Sequence, residues 1–270
     1  MTLKKRIIFT LLFKDNRFVL SRNFRLQAIG DFQWLEQNYN FSNVSFFIDE
    51  LIVIDVSKQR DNKKFFKVIS DLSSISFVPI TAGGGISSLE QVKTLFDSGA
   101  DKVILNTELH NKHNLLETIS DKYGKQCLVG SIDISKREGV YKVFKNYGED
   151  EIGILEEVIM NNTNLKYVGE LYINSIDNDG TGNGLDLSIA RTVRPLIGCP
   201  IILSGGIGNA AHIIEGLSSE YVDAVSTAHL LNFLGNGLEK SRDMISKGNI
   251  NIATWENIRS FKRRVLSVKQ

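Results

Sequence analysis

Eight short apolar runs, each rich in Ile, Val and Leu, recur along this chain with longer amphipathic stretches between them. They span 6–13, 50–55, 77–81, 102–106, 127–133, 169–175, 200–204 and 223–227. Each run is continuous rather than alternating, the pattern of parallel strands covered on both faces. The stretches between them read as helices. Ser87 and Glu90, three residues apart, make a capping box ahead of one, and 186–193 and 209–217 are two others. Strands alternating with helices predict a parallel sheet built of βαβ units. Eight such units within 270 residues predict a single closed (β/α)₈ barrel, an α/β fold, over an open sheet. No Pro/Ser-rich linker divides the chain, so the barrel is placed at 1–255 and a basic tail at 256–270. That tail, with Lys262, Arg263, Arg264 and Lys269, reads first as a solvated terminal helix or frayed end.

The barrel is predicted to be two half-barrel repeats. Gly83-Gly84-Gly85 follows one strand, precedes a helix and then Gly99-Ala100-Asp101-Lys102-Val103. Ser204-Gly205-Gly206 follows another, precedes a helix and then Tyr221-Val222-Asp223-Ala224-Val225. Gly85 and Gly206 stand 121 residues apart, Asp101 and Asp223 122 apart. Glycines after a strand let backbone amides approach an anion closely. Two such cradles on opposite sides of one barrel mouth predict a substrate carrying a phosphate at each end.

Composition narrows the function classes. Lys+Arg is 32 and Asp+Glu 31, a formal charge of +1, without the basic excess of a dedicated nucleic-acid binder. Cys127 and Cys199 read as buried, reduced thiols of a cytoplasmic protein. No Cys/His cluster suggests a metal, and no cofactor is expected. The apolar run after Met1 is too short to span a bilayer and reads as the first strand. Phe41, Phe46 and Phe47 read as an apolar helix end, with a partner patch as the alternative.

Several motifs together are similar to the two-phosphate barrels of histidine biosynthesis, and most closely to the cyclase subunit of imidazole glycerol phosphate synthase. They are Lys5-Arg6-Ile7-Ile8, Ile48-Asp49-Glu50-Leu51, Ala82-Gly83-Gly84-Gly85-Ile86, Gly99-Ala100-Asp101-Lys102-Val103, Ser175-Ile176-Asp177-Asn178-Asp179-Gly180-Thr181 and Ser204-Gly205-Gly206. The resemblance runs from about Lys5 to Ile252. It implies a heterodimer in which a glutaminase docks at the amino-terminal face of the barrel. Ammonia then crosses the interior to a bisphosphorylated ribonucleotide at the other face, where two aspartates act as acid and base.

The resemblance carries over unevenly. Asp133 matches the strand-5 aspartate. The strand-1 aspartate falls at Leu12, and a family lysine in the first loop falls at Leu20. A leucine moves no proton. Asp15 substitutes only if its loop folds back, and Asp179 is a second carboxylate at the mouth. Gly84, Gly85, Asn106 and Thr107 match one phosphate site; Asp179, Gly180, Ser204, Gly205 and Gly206 match the other. His229 replaces a small hydroxyl residue, and either changes the phosphate geometry or starts a helix without a role. Arg6, Glu50, Lys102 and Glu170 match the ammonia gate, with a purely structural ring of ion pairs as the alternative reading. Asp101 matches a residue of the glutaminase interface.

Three functional expectations follow. The first is a divergent cyclase-type subunit whose ammonia serves amidation of a sugar, as in surface-polysaccharide biosynthesis, with a separate amidating synthetase. The second is a true cyclase of histidine biosynthesis, a lyase, with Asp15 or Asp179 covering for Leu12. The third is a non-catalytic conduit. Neither nucleic acid nor membrane enters any of them.

Overall fold

The computed structural model describes residues 4–39, 45–111, 113–228, 237–248 and 250–253. The tail at 256–270, Phe41 and His229 lie outside them. The chain runs through β1 (Arg6–Lys14), β2 (Arg17–Arg22), β3 (Arg25–Gly30), α1 (Phe32–Tyr39), β4 (Glu50–Asp55), α2 (Asn62–Ile75), β5 (Ile80–Gly83) and α3 (Leu89–Asp97). It continues through β6 (Lys102–Leu105), α4 (Thr107–His110), α5 (Leu115–Tyr123), β7 (Leu128–Arg137), β8 (Val140–Lys145), β9 (Asp150–Ile154) and α6 (Leu155–Asn161). It ends with β10 (Glu170–Ser175), α7 (Leu187–Val193), β11 (Ile201–Ser204), α8 (Ala210–Ser218), β12 (Ala224–Thr227) and α9 (Gly237–Lys247).

The parallel strands β10-β11-β12-β1-β4-β5-β6-β7 lie side by side, and β7 pairs with β10 to close the barrel. These eight are the strands expected from the apolar runs. Two departures have physical causes. The third barrel strand starts at Ile80, later than the expected 77, because Phe77 is exposed and Pro79 lacks an amide to donate. Pro79 supplies only its carbonyl, which accepts from Leu51 N at 2.9 Å. The fifth strand runs past Asp133 to Arg137 because β8 pairs with it antiparallel.

Two layers of core hold this together. Outside the barrel, apolar stripes such as Phe65, Val68, Ile69 and Leu72 of α2 pack on the outward faces of the strands. Inside lies a separate belt: Ile8, Ile52, Ile104, Val129, Tyr172, Ile202 and Ala224. The outer layer draws on every barrel strand and the belt on all but β5, where Thr81 is buried instead, so the runs are apolar on consecutive residues rather than alternate ones.

Three carboxylates lace neighbouring strands at the amino-terminal end. Asp49 accepts from Ile7 N, Asp101 from Ile80 N and Asp223 from Ile201 N, each at 2.8 Å. The Asp101/Asp223 repeat thus has one structural job: an aspartate before an even-numbered barrel strand satisfies an amide of the odd-numbered strand before it.

The repeat also extends into hairpins that the apolar runs did not reveal. β2 and β3 fold back from the first barrel strand, β8 and β9 from the fifth. Their turns correspond at an offset of 123 residues. Asn23 and Phe24 have φ of 49° and 63°, and Asn146 and Tyr147 have 49° and 62°. Two successive positive φ angles match the twist of a tight hairpin, and Asn tolerates the first. Each turn thereby sets an aromatic residue at its tip.

Two smaller expectations are corrected and a third is supported. The cap of α3 is Ser88, not Ser87: Ser88 accepts from Gln91 N, while Gln91 Oε1 takes the Ser87 amide at 2.8 Å. Gln91 thus does the work expected of Glu90. Cys127 and Cys199 are half-buried rather than buried. Phe46 and Phe47 are buried, and the Phe46 ring stacks on Phe77 at 5.3 Å, which supports the apolar-end reading over a free patch.

Candidate active site at the carboxyl ends of the strands

A cavity of about 410 Å³ opens at the carboxyl ends of the barrel strands, where this fold places its chemistry. It gathers Asp133, Asp179, Gly84, Gly85, Asn106, Thr107 and Ser204 from both half-barrels. A second cavity of about 210 Å³ adjoins it and holds Gly180, Gly205 and Gly206, with Asp179 and Ser204 lining both. The expected site residues of the mouth therefore do come together.

Asp133 sits at the cavity base with both oxygens engaged. Asn106 Nδ2 donates to Oδ2 at 2.9 Å and Asn174 Nδ2 to Oδ1 at 3.4 Å. Burial pushes its pKa up to about 7; the Asn174 amide opposes the rise, the Asp179 charge adds to it, and the Asn106 amide opposes it. A carboxyl poised there can give or take a proton near neutral pH. Asn106 stands at the start of α4 but makes no cap with its side chain, which Asp133 occupies instead.

Asp179 is also held above the usual carboxylate range by burial, against the Ser21 hydroxyl and the Phe24 amide that bind its Oδ2. Both donors belong to the β2–β3 hairpin, so this carboxylate anchors the hairpin across the mouth. Gly180 and Gly206 permit equally close approaches: a Cβ on Gly180 would overlap the Ser21 carbonyl, and one on Gly206 the Gly184 carbonyl.

The strand-1 position is apolar as well as different. Leu12 lines the main cavity, and Leu20 lines the second one. Asp15 does not fold back. It is exposed, sits in the β1–β2 turn at φ 49°, and binds Ser57 Oγ through its own amide at 3.1 Å. It is absent from the walls of both cavities.

The opposite end of the barrel carries a closed ring of ion pairs. Arg6 Nη1 meets Glu50 at 3.0 Å and Arg6 Nη2 meets Glu170 at 2.7 Å. Lys102 Nζ meets Glu50 and Glu170, each at 3.0 Å. Thr81 Oγ1 adds a hydrogen bond to Glu50 Oε1 at 2.6 Å. Burial alone would raise Glu170, but Arg6 and Lys102 hold its pKa below the usual value. Two residues further along each of these strands stand Ile8, Ile52, Ile104 and Tyr172 of the inner belt. The sequence Arg6, Ile8, Thr10, Leu12 thus passes from ring to belt to cavity along one strand. Asp101 lies at the ring end, exposed, with Oδ2 on Ile80 N.

The sequence reading missed the polar residues that the hairpins and loops bring in. Arg60 and Tyr147 line the main cavity, and Arg22 and Arg25 line the second. The signal available was turn chemistry: Asn23 and Asn146 mark the two hairpins, 123 residues apart. Among the described residues, no group of three or more His, Cys, Asp or Glu side chains is placed to hold a metal ion. Nor is any described helix long and apolar enough to cross a membrane.

Residues 7–235 match the family described as histidine biosynthesis protein. The chain is 49% identical over 255 residues to a provisionally named imidazole glycerol phosphate synthase subunit hisF2 of Parasynechococcus marenigrum, covering 93% of this chain and 94% of that one. It is 34% identical over 250 residues to imidazole glycerol phosphate synthase subunit HisF of Exiguobacterium sp., covering 92% and 96%. It is 35% identical over 237 residues to the HisF subunit of Microcystis aeruginosa, covering 86% and 92%.

Proposed function

The chain belongs to the histidine biosynthesis protein family, in the branch of the HisF-like cyclase subunits of imidazole glycerol phosphate synthase, and from that premise we propose that it is a divergent member serving a different acceptor. A glutaminase docks on the face bearing Asp101. Ammonia enters through the Arg6–Glu50–Lys102–Glu170 ring, passes the inner belt and reaches a phosphorylated small molecule in the cavity. Asp133 handles the proton, with Asp179 as the second carboxylate at the mouth. Gly84, Gly85, Asn106 and Thr107 hold one phosphate; Gly180, Ser204, Gly205 and Gly206 hold the other. The ammonia goes to amidation of a sugar, completed with a separate synthetase in the cytoplasm.

The observation that carries this reading is Leu12 in the cavity wall. Strand 1 presents a hydrocarbon where a two-carboxylate mechanism needs a proton carrier. Loss of one member of an acid–base pair lowers rate by about 10²–10⁴. What supports conduit function beside it is the closed ring of charges, half-buried and built around the buried Glu50, at the end of the barrel opposite the cavity.

Ammonium-dependent turnover of the family's bisphosphorylated ribonucleotide tests the proposal. The purified chain, its Leu12→Asp variant and the HisF subunit of Exiguobacterium sp. are assayed together. The expected result is little turnover by the chain, a gain on Leu12→Asp, and stimulation of a glutaminase by both. Turnover matching the HisF subunit overturns the divergent reading. It would favour the second reading, a working cyclase, for which the specific support is that Asp179 lines the same cavity as Asp133. Glutaminase stimulation that is indifferent to Asp133→Asn, with no acceptor consumed, would reduce the barrel to a conduit.

A further inference from the structure

The walls of the main cavity carry four carboxylates, Asp55, Glu108, Asp133 and Asp179, and, among the described residues, a single cationic side chain, Arg60. Burial raises Asp55, Asp133 and Asp179, yet an anionic ligand among these carboxylates still gains from that one cation. Arg60 lies just beyond β4, beside the Gly84–Gly85 cradle. Gly85 has φ of 64°, which favours glycine, and the Arg60 guanidinium lies where a Cβ on Gly85 would point.

The guanidinium is also held from across the mouth. Arg60 Nη2 donates to Tyr147 Oη at 2.6 Å, and its Cζ stands 5.8 Å from the Tyr147 ring centroid. Tyr147 Oη donates its own proton to the Ser57 carbonyl at 2.9 Å, so its lone pair faces Arg60. The phenol sits at the tip of the β8–β9 hairpin, 87 residues away in sequence. A guanidinium has five N–H donors in a fixed plane, and Tyr147 takes one. No carboxylate ion-pairs with it among the described residues; Asp55 feels its charge only at a distance, as a lowering influence on a pKa that burial raises.

We propose that Arg60 is the anion-recognising side chain of the Gly84–Gly85 cradle, with Tyr147 as its positioning residue. The group it takes is a planar or tetrahedral oxyanion at one end of the acceptor, a phosphate ester or a sugar carboxylate. The proposal rests on the reading that this cavity holds the acceptor, but on neither ammonia transfer nor a glutaminase. The second cradle, with Arg22 and Arg25, is a separate site.

Calorimetric titration of the full chain with ribose 5-phosphate and, separately, with glucuronate tests it. Wild type is expected to bind one probe saturably, more weakly as salt rises. Arg60→Ala is expected to weaken one class of site about 10–100-fold while any class at Gly205–Gly206 persists. Arg60→Lys should recover only part of the loss, since an ammonium cannot chelate an oxyanion in the same plane. Tyr147→Phe should weaken binding several-fold with the unfolding midpoint unchanged. Arg60 is exposed, and circular dichroism confirms that each variant is folded. Which probe responds to Arg60 identifies the oxyanion. Binding by folded Arg60→Ala equal to wild type, or no saturable binding of either probe to wild type, overturns the proposal. Neither result touches the ammonia reading, which is decided by turnover and glutaminase stimulation.

Discussion

Leu12 and Asp133, 121 residues apart, stand on the first and fifth strands of the barrel and line one cavity. The half-barrel repeat makes them equivalent positions, one a hydrocarbon and one a carboxyl. With only asparagine donors at 2.9 and 3.4 Å and no cation beside it, Asp133 carries its proton to unusually high pH.

That proton makes stability depend on pH in a definite direction. Asp133 has a folded pKa of about 7 against an ordinary 3.8. Between those values the native chain binds a proton that the unfolded chain has released, so stability falls as pH rises through the window. Above pH 7 the loss is complete. Asp133→Asn removes this dependence, and the variant should gain on the order of 3 kcal/mol relative to wild type between pH 4 and pH 8. Any fixed penalty from an amide facing two amide donors cancels in that difference. Urea unfolding at the two pH values is the measurement; parallel pH dependence in the two proteins would rule out a raised Asp133.

The ring at the other end predicts a different response. Glu50 is 2% exposed and serves Arg6, Lys102 and Thr81 at once. Glu50→Gln keeps an acceptor for Thr81 but leaves two cations to share Glu170. Breaking a buried pair costs about 3–5 kcal/mol, and the partial exposure of Arg6 and Lys102 places this case at the low end. Under the proposed function, glutamine-driven activity should fall further than ammonium-driven activity, since free ammonia can reach the cavity from its open mouth. Equal losses in the two assays would speak against a gate.

The parts of this molecule legible in the sequence are those whose physics is local or repeated. Runs such as 127–133 read as buried strands because both faces are covered. The glycine cradles were legible because Gly84 and Gly205 need positive φ that other residues resist. The hairpins were not. Arg17–Arg22 and Val140–Lys145 mix charged and apolar residues, with only Phe18 and Val19 in one and Val143 and Phe144 in the other buried, which leaves runs too short to stand out. Arg60 was invisible for a further reason: nothing near it in sequence announces Tyr147, its partner across the mouth. Asp15 misled in the opposite way, a carboxylate at plausible spacing that a tight turn directs to solvent.

Arg242 predicts how the last described helix is tied to the barrel. It comes from α9 and is 6% exposed. Its Nη2 lies 2.6 Å from Asp49 Oδ1 and 2.7 Å from the Ala253 carbonyl, and its Nη1 3.2 Å from both Asp49 Oδ2 and the Phe47 carbonyl. Asp49 in turn accepts from Ile7 N, so one guanidinium joins α9 to the first and second barrel strands. Arg242→Ala strands a buried carboxylate and two carbonyls and should cost about 3–5 kcal/mol. Arg242→Met fills the space without the charge and should cost nearly as much, since Asp49 is left unpaired in both. The double change Asp49→Asn with Arg242→Met should recover part of the loss, because the side-chain amide oxygen it introduces can still take the Ile7 amide without a buried charge. Additive losses in that cycle, read from urea midpoints, would mean the pair is not coupled and that α9 is held by Leu238 and Ile245 alone.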